Sequence, residues 1–247
     1  MSFTYHENGS GYALGATTCS LSTSTPTKLY LMVVSVNFVE DANDSVTITL
    51  TDNYFGGGGT GWVLCREGNG TDDSWVPVKY YKQKLFYRIF GSIDMSGNTV
   101  TATVTGGSAG TVSMEYILYS ATGAITFSTA QGATGISTAP NPNGNVPAVA
   151  TNLIVTTLWA HHETLNSIVS GLAAGFAARI NATADGSWAV QGLGTKVITT
   201  GTSQAAGWTM SDDAYWANNA AVFSEAAVGG STDGSHWFNY LQAEGAM

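Results

Sequence analysis

Two segments of the sequence alternate apolar residues with polar residues, most of them threonine. The apolar positions are Val46, Ile48 and Leu50 within residues 45–51, and Val100, Ala102 and Val104 within residues 98–105. Because successive side chains of a β-strand point to opposite faces, this period of two places the apolar side chains on one face. The two segments therefore predict strands of an antiparallel sheet with one buried face and one face in contact with solvent.

Three other segments, residues 28–38, 112–119 and 152–160, are apolar almost throughout. Short apolar runs of this kind are typical of central strands that are buried on both faces. Turn-forming residues recur between the predicted strands, at residues 24–26, 41–44, 56–61, 68–70, 96–98, 106–110 and 140–144. Many strands joined by closely spaced turns predict an all-β fold with little helix, an antiparallel β-sandwich that is jelly-roll-like.

Residues 165–180 fit two patterns, because their apolar positions match both a helical stripe and a strand alternation. Gly171 and Gly175 would each destabilise a helix by about 1 kcal/mol relative to alanine. We therefore expect a loop or a helical turn followed by a strand, and a helix is the alternative.

The predicted domain organisation is a single β-sandwich over residues 17–228. It follows an N-terminal arm at residues 1–16, and a Gly/Asn/Pro-rich stretch at residues 132–147 forms a long crossover inside it. That stretch could also be a domain linker, but the strand that follows is too apolar to begin an independent small domain. Residues 229–247 form a C-terminal tail rich in aromatic residues, which we expect to dock on a neighbouring subunit or to pack on its own domain.

The composition narrows the classes of partner. Charged residues make up 10% of the chain, against roughly a quarter in ordinary globular proteins, so hydroxyls and amides must cover the surface. Such surfaces suit proteins that pack against copies of themselves or lie outside cells. The net charge of -9 disfavours nucleic acid as a partner. No apolar run reaches about 18 residues, so we expect no membrane insertion, and without a visible signal peptide we expect synthesis in a cytoplasm.

No local cluster matches a catalytic or metal-binding motif, so we expect no enzymatic activity, no catalytic residue, no metal and no cofactor. His161 and His162 are adjacent and would point to opposite faces of a strand, which indicates a solvated strand end and not a chelating pair. The acid pairs Asp72–Asp73 and Asp212–Asp213 are interpreted as solvated turn residues, since no calcium-loop spacing accompanies them. Cys19 and Cys65 are expected to be buried thiols, unless their strands are neighbours and the two residues pair.

Aromatic residues in turn-flanked positions are the remaining candidates for a site. The candidate contacts to a glycan or to another subunit are Trp62, Trp75, Tyr80, Tyr81, Trp216 and Trp237. Ordinary packing in the core and in interfaces is the competing interpretation, because tryptophan and tyrosine supply large contact areas there too.

The order of these segments resembles a group of β-sandwich domains, jelly-roll or lectin-like, found in phage structural proteins and bacterial surface proteins. The similarity covers residues 17–226 as a pattern of strands: an apolar second strand (29–36), the two threonine-alternating strands, the strand at 152–155 and a closing strand (215–223). The resemblance implies a virion structural protein, made in the host cytoplasm, that acts as a head decoration, a fibre or an adsorption component. It also implies a homo-oligomer that binds other virion proteins and a host surface glycan. The alternative is an extracellular carbohydrate-binding or carbohydrate-cleaving module.

Overall fold

The computed structural model describes residues 3–25, 28–42, 45–54, 61–162, 169–184 and 189–226. Within these ranges the chain forms β-strands and no helix, which confirms the predicted all-β antiparallel sandwich. Accordingly, no described segment is a helix that could cross a membrane. The strands are β1 (Thr4–Ala16), β2 (Thr18–Ser22), β3 (Lys28–Glu40), β4 (Thr47–Asp52), β5 (Val63–Asp72), β6 (Lys79–Ile93), β7 (Thr99–Thr105), β8 (Gly110–Ser120), β9 (Ile125–Ser137), β10 (Leu153–His161), β11 (Val169–Leu172), β12 (Ala177–Ala184), β13 (Ala189–Val197), β14 (Trp208–Met210) and β15 (Ala214–Glu225).

Strands β1 to β8 pair in the nested order of a jelly roll. β1 pairs with β8, β2 with β7 and β3 with β6, all antiparallel. β8 also pairs with β3, and β7 with β4. The result is a five-stranded sheet of order β1-β8-β3-β6-β5 and a three-stranded sheet of order β2-β7-β4. This wrapping is that of a jelly-roll unit, except that β5 pairs with β6 and not with β4.

Strands β9 to β15 repeat the same scheme. β9 pairs with β15 and β10 with both β13 and β15, in a five-stranded sheet of order β12-β13-β10-β15-β9. A smaller sheet joins β11 to β14, and an isolated bridge between Val146 and Gln204 stands where the first unit has its β2–β7 pair. The chain therefore contains two jelly-roll units, residues 4–120 and 125–225, where the sequence predicted one sandwich.

A short sequence repeat accompanies the structural repeat. Ser35 on β3 pairs with Leu85 on β6, and Thr157 on β10 pairs with Leu193 on β13. Aligned in this way, the units share a Leu-x-Val motif (Leu31–Val33 and Leu153–Val155) and a Gln-x-Leu motif (Gln83–Leu85 and Gln191–Leu193). Equivalent strands thus carry equivalent apolar positions.

The two units pack through their five-stranded sheets. Apolar side chains from both sheets form one inter-unit core: Phe3, Leu31, Val33, Leu85, Ile117, Tyr119, Ile125, Leu153, Val155, Ile180, Leu193, Ala221 and Phe223. At the edges, β5 of the first unit contacts β9 of the second, and β12 of the second contacts β1 of the first. These reciprocal contacts are those of a twofold relation between the units.

The outer face of each five-stranded sheet is covered by the smaller sheet of its own unit, which gives four layers. Coverage on both faces explains why β8 and β10 are buried along almost their whole length, as their apolar sequences predicted. The period-two prediction is also confirmed, because alternate residues of β4 and β7 are buried in the core beneath the three-stranded sheet.

Two predicted boundaries differ from the structure. The expected arm at residues 1–16 contains β1, whose pairing with β8 makes it an edge strand of the first unit. The expected crossover at residues 132–147 begins inside β9, which runs to Ser137. Gly132 and Gly135 serve close packing here and not a turn, because an added Cβ would lie 2.0 Å from Asn219 Oδ1 and 2.8 Å from Trp216 Cζ2, respectively.

In the ambiguous segment, the described residues form β11 and β12. Gly175, with a φ of 79°, lies in the turn between the two strands, and residues 163–168 lie outside the described ranges. The tail at 229–247 lies outside them as well.

The two cysteines do not pair. Cys19 faces the core between the three-stranded sheet and the first five-stranded sheet, whereas Cys65 packs against the inter-unit core. They therefore lie on opposite faces of the first five-stranded sheet, and both are free thiols.

Candidate binding site

Polar side chains collect at one end of the two packed sheets, which we call the polar end. β3 ends there with Glu40 and is followed by Asp41, β5 ends with Asp72, β6 begins with Lys79 and β10 ends with His161. Strands of both units therefore contribute to this end. Two cavities, of about 290 and about 300 Å³, open at it and share Glu40.

A buried pair joins the units at the polar end. His161 Nδ1 lies 2.9 Å from Asp72 Oδ2, and the two side chains are 3% and 0% exposed. The predictions of a solvated strand end at His161 and a solvated turn acid at Asp72 are therefore wrong. Packing of the second unit on the first covers both residues, which lie far apart in the sequence.

Asp72 also organises the loop that follows β5. Its Oδ1 accepts hydrogen bonds from the backbone N–H of Ser74, at 3.0 Å, and from the Ser74 hydroxyl. The carboxylate thus lies between the serine and the histidine. A nucleophilic serine needs the histidine itself as its hydrogen-bond acceptor, so these three side chains do not have the order of a catalytic triad. They fix the loop and His161 in place.

Trp75 is held by two neighbours at this end. Its ring stacks on His161, with centroids 5.3 Å apart and an interplanar angle of 23°. The Lys79 ammonium lies 5.1 Å from the Trp75 centroid and also pairs with Asp41. The ring of Trp75 therefore contacts both His161 and Lys79.

The first cavity, which we call the Trp75 cavity, lies beside this ring. It is lined by Gly15, Val39, Glu40, Asp41, Trp75, Lys79, Ala109, Gly110, Thr111 and His161. Carboxylates, an ammonium, a hydroxyl and an indole edge surround it. Such groups can hydrogen-bond and pack against a hydroxyl-rich ligand.

The second cavity, which we call the Tyr80 cavity, is lined by Phe38, Glu40, Val46, Asn69, Gly70, Thr71, Tyr80, Tyr81 and Lys82. Lys82 Nζ donates to the Val46 carbonyl at 3.0 Å. This hydrogen bond holds the Lys82 side chain along the wall of the Tyr80 cavity. The buried Glu40 accepts hydrogen bonds from the backbone N–H and hydroxyl of Ser108, at 3.2 and 3.3 Å. Burial raises the pKa of Tyr81, and the Asp72 charge adds to the effect.

Trp62, Trp216 and the cavity-lining Tyr81 each donate a hydrogen bond within the structure. Trp62 Nε1 donates to Asp52 Oδ2 at 2.9 Å, and Trp216 Nε1 donates to Ser137 Oγ at 3.0 Å. The buried Tyr81 donates its hydroxyl to the Trp216 carbonyl at 3.3 Å. Trp237 lies outside the described residues.

The structure thus brings Trp75, Tyr80 and Tyr81 to the two cavities, and it adds Glu40, Asp41 and Lys79, which were not among the predicted binding residues. Glu40 and Asp41 directly follow an apolar strand, and Lys79 follows a turn. Polar residues at the ends of buried strands were the available signal. Among the described residues, no group of three or more histidines, cysteines or acids could hold a metal ion.

Comparisons with models of known protein families, with curated proteins and with solved structures return no match.

Proposed function

We propose that this protein is a non-enzymatic structural component of a virus particle surface, such as a bacteriophage head decoration, fibre or adsorption protein, and that it assembles as a homo-oligomer. The observation that carries the proposal is the nested jelly-roll pairing, which occurs twice in one chain. Jelly rolls build viral capsid and lectin domains. Because one fold serves many functions, the proposal also needs support from the properties of the protein surface.

The outer face of the three-stranded sheet offers a surface for self-association. Every side chain that β2, β4 and β7 direct outward is a serine or a threonine, and we call this surface the hydroxyl face: Thr18, Ser20, Ser22, Thr47, Thr49, Thr51, Thr99, Thr101, Thr103 and Thr105. Ser20 and Thr101 are hydrogen-bonded at 2.8 Å across the strands. Copies that each carry a net charge of -9 repel one another, and an uncharged face reduces that repulsion where they meet.

The assembly proposal is tested by light scattering and negative-stain microscopy of the purified full-length protein. We expect a closed oligomer, and we expect Thr101→Lys to weaken it by placing an ammonium in the hydroxyl face. Thr209→Lys is the matched control, because Thr209 is an exposed residue on β14, the counterpart of β7 in the other unit. A wild-type protein that stays monomeric at all concentrations would refute self-assembly.

The alternative function, a carbohydrate-binding or carbohydrate-cleaving module, is favoured by the Trp75 cavity. Glycan arrays and calorimetry on the monomer test binding, with Lys79→Met as the variant that removes the ammonium beside Trp75. Release of reducing sugar from polysaccharides tests cleavage. Glycan binding by a monomer that does not assemble would favour the alternative over a virion component, whereas binding by an oligomer without turnover fits host attachment by a particle protein.

A further inference from the structure

The interface between the two units contains a layer of buried polar side chains beside its apolar core. The layer comprises Ser35, Asn37, Gln83, Ser113, Glu115, Thr157, Gln191 and Asn219, none of them more than 1% exposed. One hydrogen bond crosses the interface there, because Asn219 Nδ2 of the second unit donates to Gln83 Oε1 of the first at 2.8 Å. Buried polar groups are normally paired in this way.

The twofold relation assigns a counterpart to this hydrogen bond. Asn219 pairs with Thr157 in its sheet, as Glu115 pairs with Ser35, so Asn219 and Glu115 occupy equivalent places. Gln191 is the equivalent of Gln83 in the repeated Gln-x-Leu motif. The twofold relation therefore assigns Glu115 the position opposite Gln191, as Asn219 lies opposite Gln83.

The atoms that would form this second bond are acceptors without donors. Both carboxyl oxygens of Glu115 and Oε1 of Gln191 are buried and have no hydrogen-bond partner among the described residues. Two acceptors cannot bond to each other, and a buried unpaired acceptor costs about 1–3 kcal/mol. A single proton on Glu115 supplies the missing donor.

Full burial raises the pKa of Glu115 well above its usual range, and the nearby Ser35 hydroxyl, which does not meet hydrogen-bond geometry with the carboxyl oxygens, offsets this only in part. The titratable side chains that neighbouring strands direct towards the same interface are Tyr5, Tyr12, Cys65, Arg66, Asp72, Tyr81, Tyr87, Tyr119, His161, Arg179 and Tyr215. The three potential cations at this interface are engaged elsewhere: His161 with Asp72, Arg179 with Thr195 at 3.0 Å, and Arg66 with the Gly132 carbonyl at 3.5 Å. No described ion pair neutralises a Glu115 carboxylate.

We propose that Glu115 is uncharged in the folded protein and donates its carboxyl proton to Gln191 Oε1, and that its ionisation loosens the interface between the two units. The protein thereby carries an alkaline-sensitive contact at its centre. This inference stands independently of the proposed virion role.

The sign of the pH dependence follows from proton linkage. In the unfolded chain Glu115 loses its proton near its usual pKa, whereas the folded protein keeps the proton to higher pH. Stability is therefore full at pH values below the unfolded pKa and falls as the pH rises towards the folded pKa. Over that window the unfolding equilibrium constant increases by up to about tenfold per pH unit.

Two measurements test the proposal. Infrared difference spectroscopy at pH 7 detects the carbonyl stretch of a protonated carboxylic acid, and we expect this band in the wild type and in Glu67→Gln but not in Glu115→Gln. Glu67 is an exposed glutamate on β5, so its substitution is the matched control. Urea unfolding from pH 5 to pH 8 should show a steeper loss of stability in the wild type than in Glu115→Gln.

Absence of the acid band in the wild type overturns the proposal, as does a band that survives in Glu115→Gln. Parallel stability profiles of the two proteins overturn it as well. If Glu115→Gln does not fold, the wild-type spectrum and a Gln191→Leu variant decide, because loss of the acceptor must shift the acid band.

Discussion

His161 Nδ1 and Asp72 Oδ2, 2.9 Å apart, connect the end of β10 in the second jelly-roll unit to the end of β5 in the first. The pair lies at the edge of the inter-unit packing and supports the ring of Trp75. The contact therefore joins the two units, and its His161 side chain also lines the Trp75 cavity.

Substitution of His161 by phenylalanine should destabilise the protein. The new ring preserves the stacking on Trp75 but leaves Asp72 Oδ2 buried without its partner, which we expect to lower the free energy of unfolding by about 3 kcal/mol. Urea denaturation measures the loss. His162→Phe is the control, because His162 is the neighbouring, half-buried histidine and it stacks on Tyr215. Equal stability of the two variants would contradict the buried pair.

The apolar core between the units predicts that alanine substitutions at two leucines lower the free energy of unfolding by very different amounts. Leu85 is fully buried in the inter-unit core, whereas Leu64 is 42% exposed. Leu85→Ala should reduce the free energy of unfolding by about 2–5 kcal/mol through the cavity that it leaves. Leu64→Ala should change it by about 0.5 kcal/mol or less. Chemical denaturation of both variants measures these losses. A larger loss in Leu64→Ala than in Leu85→Ala would contradict the position of the core.

The hydrogen bond between Asn219 and Gln83 predicts coupling between the units. Asn219→Leu alone leaves Gln83 Oε1 buried without its donor and should cost about 1–3 kcal/mol. The double variant Asn219→Leu with Gln83→Met removes both partners and should recover part of that loss. A double-mutant cycle on the free energy of unfolding measures the coupling. Strictly additive effects would mean that the two side chains do not interact.

The positions of the cysteines predict slow thiol chemistry. Burial raises the pKa of both Cys19 and Cys65, which lowers their thiolate fractions. We expect a disulfide reagent such as Ellman's reagent to modify both thiols slowly in the folded protein and rapidly in denaturant. Mass spectrometry under non-reducing conditions should find no disulfide within the chain. A Cys19–Cys65 disulfide would contradict their placement on opposite faces of one sheet.

Patterns within single strands were sufficient to predict β3, β4, β7, β8 and β10, but not β1 or the end of β9. The alternation in β4 and β7 reflects one solvated face, and the continuous apolar sequence of β10 reflects layers on both sides. Both patterns are local, so each could be read without knowing which strands are neighbours.

Features that depend on the packing of two distant segments could not be predicted in this way. The burial of His161 and Asp72 follows from the meeting of two units, and the Gln-x-Leu repeat that relates these units is too short to stand out in the sequence. Gly132 and Gly135 suggest a loop by composition, but they lie in β9. Glycine is needed at both positions because Asn219 and Trp216 occupy the space that a side chain would fill.

The packing of two jelly-roll units through their five-stranded sheets is tested most directly by nuclear Overhauser spectroscopy on methyl-labelled protein. We predict cross-peaks between methyl groups of Leu31 and Val33 on β3 and those of Leu153 and Val155 on β10, because all four side chains belong to one buried core. Cross-peaks within the first unit, such as those between Val33 and its cross-strand partner Ile117, provide the internal reference. Cross-peaks confined to within each unit would contradict the packing of the two sheets.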